Sequence, residues 1–143
     1  MKKFISAISI ALLTVILAFT LAGCDKSGAI EKAYEDNGYT VKITTTAENA
    51  TVKNLISTIL TEEQKKEIDK YALIYASKLL PPEGVVIIKF GSSGDLKDFL
   101  TIEDKDGNKD TSAYDAAKDA GHINGNCYFI VGGKDALNIF KNA

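Results

Sequence analysis

Two side chains in the carboxyl-terminal third have the chemistry of a thiol–base pair, Cys127 and His122. A nucleophilic cysteine needs a thiolate and a nearby base to generate it, which makes this pair the first to weigh. Cys127, however, opens the apolar run Cys127-Tyr-Phe-Ile-Val131, where a cysteine packs as a small hydrophobe. His122 follows Gly121, a helix-ending position, and the loop between the two residues does not fix their geometry. His122 is also the only histidine, so no Ser-His-Asp set exists without it and no His/Cys cluster can hold a transition metal. The residues therefore predict no catalytic group, no cofactor and a non-enzyme.

Oxygen ligands offer a second chemistry. Asp104, Asp106, Asn108 and Asp110 alternate, as ligands do at the start of an EF-hand loop, and make a weak calcium candidate within the acidic loop 103–115. The spacing departs where it matters. Gly107 falls at the fourth position rather than the sixth, and the twelfth is Asp115 rather than Glu. Asp106-Gly107-Asn108 reads more simply as the tip of a solvated turn. Gly91-Ser-Ser-Gly94 precedes a helical pattern and invites a phosphate-cradle reading. It lacks the Lys-Ser/Thr ending of a P-loop, and Asp95 would repel an anion, so a strand-to-helix turn is expected. Asn49-Ala-Thr51 fits a glycosylation sequon, at a length that arises by chance.

These groups must be positioned by a small set of elements. Ala29–Asn37 places Ile30, Ala33 and Tyr34 on one helical face and ends at Gly38, a natural C-cap. Tyr39–Thr46 alternates Tyr39, Val41 and Ile43 with polar residues, the pattern of a half-buried strand. Val52, Leu55, Ile56, Ile59 and Leu60 recur at helical spacing, and Thr61-Glu-Glu-Gln64 supplies a capping box for a further helical piece to about Asp69. Tyr71–Lys78 fits both a buried strand and a helix continuing from Thr61 to Leu80. A strand is preferred, because Pro81-Pro82-Glu83-Gly84 would turn it directly into Val85–Phe90, the clearest strand in the chain. A helix with Leu96, Phe99 and Leu100, one with Tyr114, Ala117 and Ala120, the strand 127–131 and a last helix with Ala136, Leu137, Ile139 and Phe140 complete the chain.

Without the first and last helices the order is strand, helix, strand, strand, helix, strand. That order predicts an α+β, ferredoxin-like sheet (βαββαβ) of about four antiparallel strands, with extra amino- and carboxyl-terminal helices and helices covering one face. The runner-up is a three-stranded sheet with a long helix over 61–80.

The amino terminus has a different character. Lys2 and Lys3 precede Phe4–Leu21, an uncharged apolar run, as in a secretory signal. The run ends in Leu21-Ala22-Gly23-Cys24, which resembles the lipobox of bacterial lipoproteins at all four positions. The resemblance implies that Cys24 receives diacylglycerol, that residues 1–23 are then cleaved, and that acyl chains such as palmitate hold the protein on the extracytoplasmic face of the cell membrane. One chain holds marginally and two hold stably. Asp25 directly after the cysteine is similar to the inner-membrane retention signal of Gram-negative lipoproteins, which carries no meaning in a Gram-positive cell. All 17 basic residues are lysine, which points weakly to an AT-rich, Gram-positive source. Gly38-Tyr39 and Gly132-Gly-Lys-Asp-Ala136 resemble motifs of small uncharacterised Gram-positive lipoproteins, a likeness that implies no activity.

The expected boundaries are a cleaved signal at 1–23, a lipidated terminus and short tether at 24–29, and one α+β domain over 30–143. A tether of about five residues reaches less than about 20 Å, which keeps the body close to the bilayer. Fifteen lysines against 19 acidic residues leave the mature chain at −4, against nucleic acid as a partner. With Cys24 acylated, Cys127 has no disulfide partner and stability must come from packing. The residues thus predict a membrane-anchored binding or accessory module, with a protein partner or self-association as its use.

Overall fold

The computed structural model describes residues 25–143, so the signal segment expected at 1–23 and the lipidation expected at Cys24 lie outside the described residues. The chain begins with helix α1 (Ser27–Asp36) and strand β1 (Thr40–Thr44), followed by helices α2 (Ala50–Ser57) and α3 (Glu62–Glu67). A 3-10 turn (Ile68–Lys70) leads into the hairpin of β2 (Ala72–Leu79) and β3 (Pro82–Lys89). Then come α4 (Ser93–Leu100), a two-stranded ribbon of β4 (Ile102–Glu103) and β5 (Lys109–Asp110), and α5 (Ser112–Asp119). A short hairpin of β6 (Ile123–Asn124) and β7 (Cys127–Val131) precedes the closing helix α6 (Lys134–Asn142). Among the described residues no helix is long and apolar enough to cross a membrane.

The fold is α+β, with a main sheet of five strands in the order β1-β2-β3-β7-β6, every neighbour antiparallel. This corrects the expected ferredoxin-like arrangement. In a split βαβ unit the strands flanking a helix are parallel, with another strand between them. Here β1 and β2 flank α2 and α3 yet pair directly and antiparallel. The fifth strand, β6, is held in a two-residue hairpin with Asn124 opposite Cys127 and Gly125 at φ +60. Glycine at the first central position is what such a turn demands.

Helices cover both faces rather than one. Ile74, Ala76, Val85, Ile87, Cys127 and Phe129 point to one side and pack with Ile30 and Tyr34 of α1 and Ala136 and Phe140 of α6. Leu73, Val86 and Ile88 point to the other, against Val52 and Ile56 of α2 and Leu96, Phe99 and Leu100 of α4. Each large apolar side chain so buried contributes about 1.5–3 kcal/mol. Burial on both faces makes β2 and β3 read as continuous apolar runs. It also explains why 71–78 fitted a helix and a strand equally well. The segment is a strand, and the long-helix alternative over 61–80 does not occur.

Local signals act as the sequence predicts in several places. The side chain of Thr61 accepts from the backbone N–H of Gln64 at 3.2 Å, while Gln64 Oε1 accepts from the Thr61 N–H at 3.0 Å. This capping box starts α3, which gives way to the 3-10 turn at Ile68. Gly38 follows α1 at φ +85, where a side chain would be strained. Asn49 accepts from Val52 N–H at 3.1 Å and caps α2, so the sequon asparagine has a structural task. Ser92 caps α4, its hydroxyl accepting from the Asp95 N–H at 3.1 Å. The β2–β3 turn is also tighter than expected. Leu79 pairs with Pro82, leaving only Leu80-Pro81 as the loop, with a cis peptide between them.

Candidate functional site at the amino-terminal junction

Cys24 itself lies outside the described residues, but the chain directly after it is fastened to the body. Asp25 Oδ2 lies 3.2 Å from the Lys89 ammonium at the end of β3. Its other oxygen accepts from the Ser27 backbone N–H at 2.9 Å and from Asn126 Nδ2 at 3.4 Å. Asn126 Oδ1 accepts from the Lys26 backbone N–H at 3.0 Å, and its amide donates to the Phe90 carbonyl at 2.7 Å. Phe90 N–H in turn donates to the Asn126 carbonyl at 2.9 Å. The buried Asn126 therefore joins three segments: the amino terminus, the end of β3 and the β6–β7 turn. Burial works against ionisation of Asp25, but the Ser27 hydrogen bonds and the Lys89 ammonium outweigh it and hold its carboxyl down at about 2.

This geometry revises the expected tether. Helix α1 starts at Ser27, and Ser27 and Ile30 are buried, so Ser27, Gly28 and Ala29, expected in the short tether, belong to the first helix. Sequence reasoning missed Lys89 and Asn126. The pairing of positions so far apart in the chain leaves no local signal, although Gly125-Asn126 just before the apolar run Cys127–Val131 is a turn signal that would have placed the hairpin.

His122 and Cys127 are not brought together. His122 Nδ1 lies 3.1 Å from the Phe129 carbonyl, and its ring stands edge-on to the Phe129 ring with centroids 5.6 Å apart. Cys127 is fully buried, and its nearest polar partner is Asn126 Oδ1 at 3.7 Å. Burial pushes its thiol up to about 12. A protonated, enclosed thiol is a poor nucleophile.

The acidic candidates Asp104, Asp106, Asn108 and Asp110 sit on the exposed β4–β5 ribbon. Asp104 Oδ1 accepts from the backbone N–H groups of Asp106 and Asn108, each at 2.9 Å, and Oδ2 accepts from Asn108 Nδ2 at 3.0 Å. These hydrogen bonds, led by the Asn108 side chain, lower the Asp104 carboxyl below its ordinary value. Asp110 Oδ1 accepts from the Ser112 N–H at 2.9 Å. The carboxylates thus hold a turn and the start of α5. Among the described residues no group of three or more His, Cys, Asp or Glu is arranged to hold a metal ion.

A groove of about 590 Å³ runs between α3, α4 and β4, over a floor that includes Phe99, Leu100 and Tyr128. Its charged lining is Glu63, Glu67 and Asp98 against Lys66. At the opposite end of the sheet from the junction, Leu79 and Leu80 stand 88 % and 87 % exposed at the hairpin tip. No protein-family model matches the chain, and no match to it is found among curated proteins or among solved structures.

Proposed function

We propose that the protein is a lipoprotein anchored to the extracytoplasmic face of the cell membrane by diacylglyceryl on Cys24, and that its α+β body is a non-catalytic binding or accessory module. The observation that carries the anchor is the tetrad Leu21-Ala22-Gly23-Cys24 at the end of an uncharged apolar run behind two lysines. Support for a non-catalytic body comes from the candidate groups themselves. The Cys127 thiol is enclosed and protonated, His122 is occupied by a main-chain carbonyl, and the Asp104 carboxylate is spent on its own turn. The adjacent leucines exposed at the β2–β3 tip offer an apolar surface for such a contact.

Membrane fractionation of cells expressing the full chain tests the anchor. The unaltered protein resists extraction by salt and alkali and partitions into detergent. Cys24→Ala accumulates as the uncleaved precursor. An unaltered protein that washes off with salt, or a Cys24→Ala chain processed as before, would contradict the proposal.

A further inference from the structure

We infer that the junction at Asp25 orients the body, so that the sheet end carrying Lys89 and Asn126 faces the lipid surface and the Leu79–Leu80 tip points away from it. The inference rests on the lipid attachment at Cys24 and deepens it. Asp25 is the residue next to that attachment, and consecutive Cα atoms are only about 3.8 Å apart. A lipid on Cys24 therefore enters the body at a residue already bonded to Lys89, Asn126 and Ser27. With α1 starting at Ser27, no free chain remains that would let the body turn over.

The strands convert this attachment point into an orientation. Lys89 closes β3 and Cys127 opens β7, so both lie at the junction end. Pro82 opens β3 opposite Leu79, so the tip lies at the other end of an eight-residue strand. At about 3.3 Å per residue the two ends are separated by roughly 25 Å. The turns beside the junction, Gly91-Ser92 and Gly125-Asn126, are small and polar, which suits close approach to lipid headgroups. Leu79 and Leu80, the most exposed of the large apolar side chains, sit at the far end, beyond the reach of the bilayer. They are thus left for contacts in the aqueous space, not for insertion.

Fluorophores on Ser93→Cys and Leu80→Cys in the full chain, reconstituted in vesicles carrying a headgroup-attached quencher, read the orientation. The acylated Cys24 and the buried Cys127 do not compete for the label. The Ser93 label is expected to be quenched several-fold more than the Leu80 label. Asp25→Ala and Lys89→Met each loosen the junction and draw the two signals together, with thermal melting confirming that the body stays folded. Equal quenching in the parent, stronger quenching at Leu80, or a difference that survives both loosened variants would each overturn the inference. Loss of the lipid attachment is distinguishable from these results: the protein then stays in the soluble fraction with a free Cys24 thiol, and the anchor and the orientation fall together.

Discussion

The two helical layers on either side of the sheet are built differently. One consists of α1 and α6, drawn from the two ends of the described chain. It buries Ile30, Tyr34, Ala136 and Phe140 completely, and the Tyr34 hydroxyl donates to the Ala136 carbonyl at 2.7 Å. The other consists of four short helices, of which α3 and α5 bury no residue completely, while Leu55 of α2 and Ile59 in the turn after it stand exposed. Its polar links are local caps, with few long-range hydrogen bonds such as Gln64 Nε2 to the Phe99 carbonyl at 3.3 Å. The first layer is the structural clamp, and it is continuous with the junction at Asp25. The second holds the groove and the acidic ribbon.

One residue type at equivalent tasks tests that contrast most strongly. Tyr34→Ala removes a fully buried ring and its hydrogen bond, and is expected to cost about 3–5 kcal/mol in chemical denaturation. Tyr114→Ala, on the half-buried face of α5, is expected to cost about 1 kcal/mol. Similar losses at the two sites would mean that the layers share the stability evenly.

Cys127 separates the layers by pH. Its thiol is raised from an ordinary 9 to about 12, chiefly by burial, so the folded state keeps the proton while the unfolded chain loses it. The stability this provides is present below about pH 9 and is lost as pH rises toward 12. Cys127→Ala should flatten the decline between pH 9 and 11 relative to the parent, because alanine has nothing to ionise in either state. An unchanged slope would place the thiol in a solvated setting.

The smallest effect belongs to the junction. Asp25 is lowered from 3.8 to about 2, so its contribution is present above about pH 4 and is lost as pH falls through 2. The side chain is 44 % exposed, and solvent screening keeps the contribution to less than about 1 kcal/mol. Asp25→Ala should therefore lower the neutral plateau by less than about 1 kcal/mol and flatten the decline below about pH 4. A larger loss at neutral pH would show that the junction holds up α1 as well as orienting it.

What could be read from the sequence follows from how local each signal is. The Thr61–Gln64 capping box, the glycine after α1 and the apolar face of α6 depend on residues within one or two turns, and all three occur as expected. Register and layer depend on partners far away in the chain. The alternation of Tyr39, Val41 and Ile43 predicts an inward Ile43, yet Ile43 stands 46 % exposed near the end of the edge strand while Thr44 is buried on the other face. Covering helices on both sides make that inversion possible, and no local pattern announces them. For the candidate site the division is the same. The tetrad ending in Cys24 is a local motif, whereas the contacts of Asp25 with Lys89 and Asn126 span the whole fold.

The attachment at Cys24 is the claim on which the contrast between clamp and outer layer acquires a direction. Mass spectrometry of the amino-terminal tryptic peptide from membrane-extracted protein addresses it directly. The account predicts a peptide that begins at Cys24, ends at Lys26 and carries diacylglyceryl on its sulfur. A peptide with a free Cys24 thiol, or a chain still beginning at Met1, would contradict it.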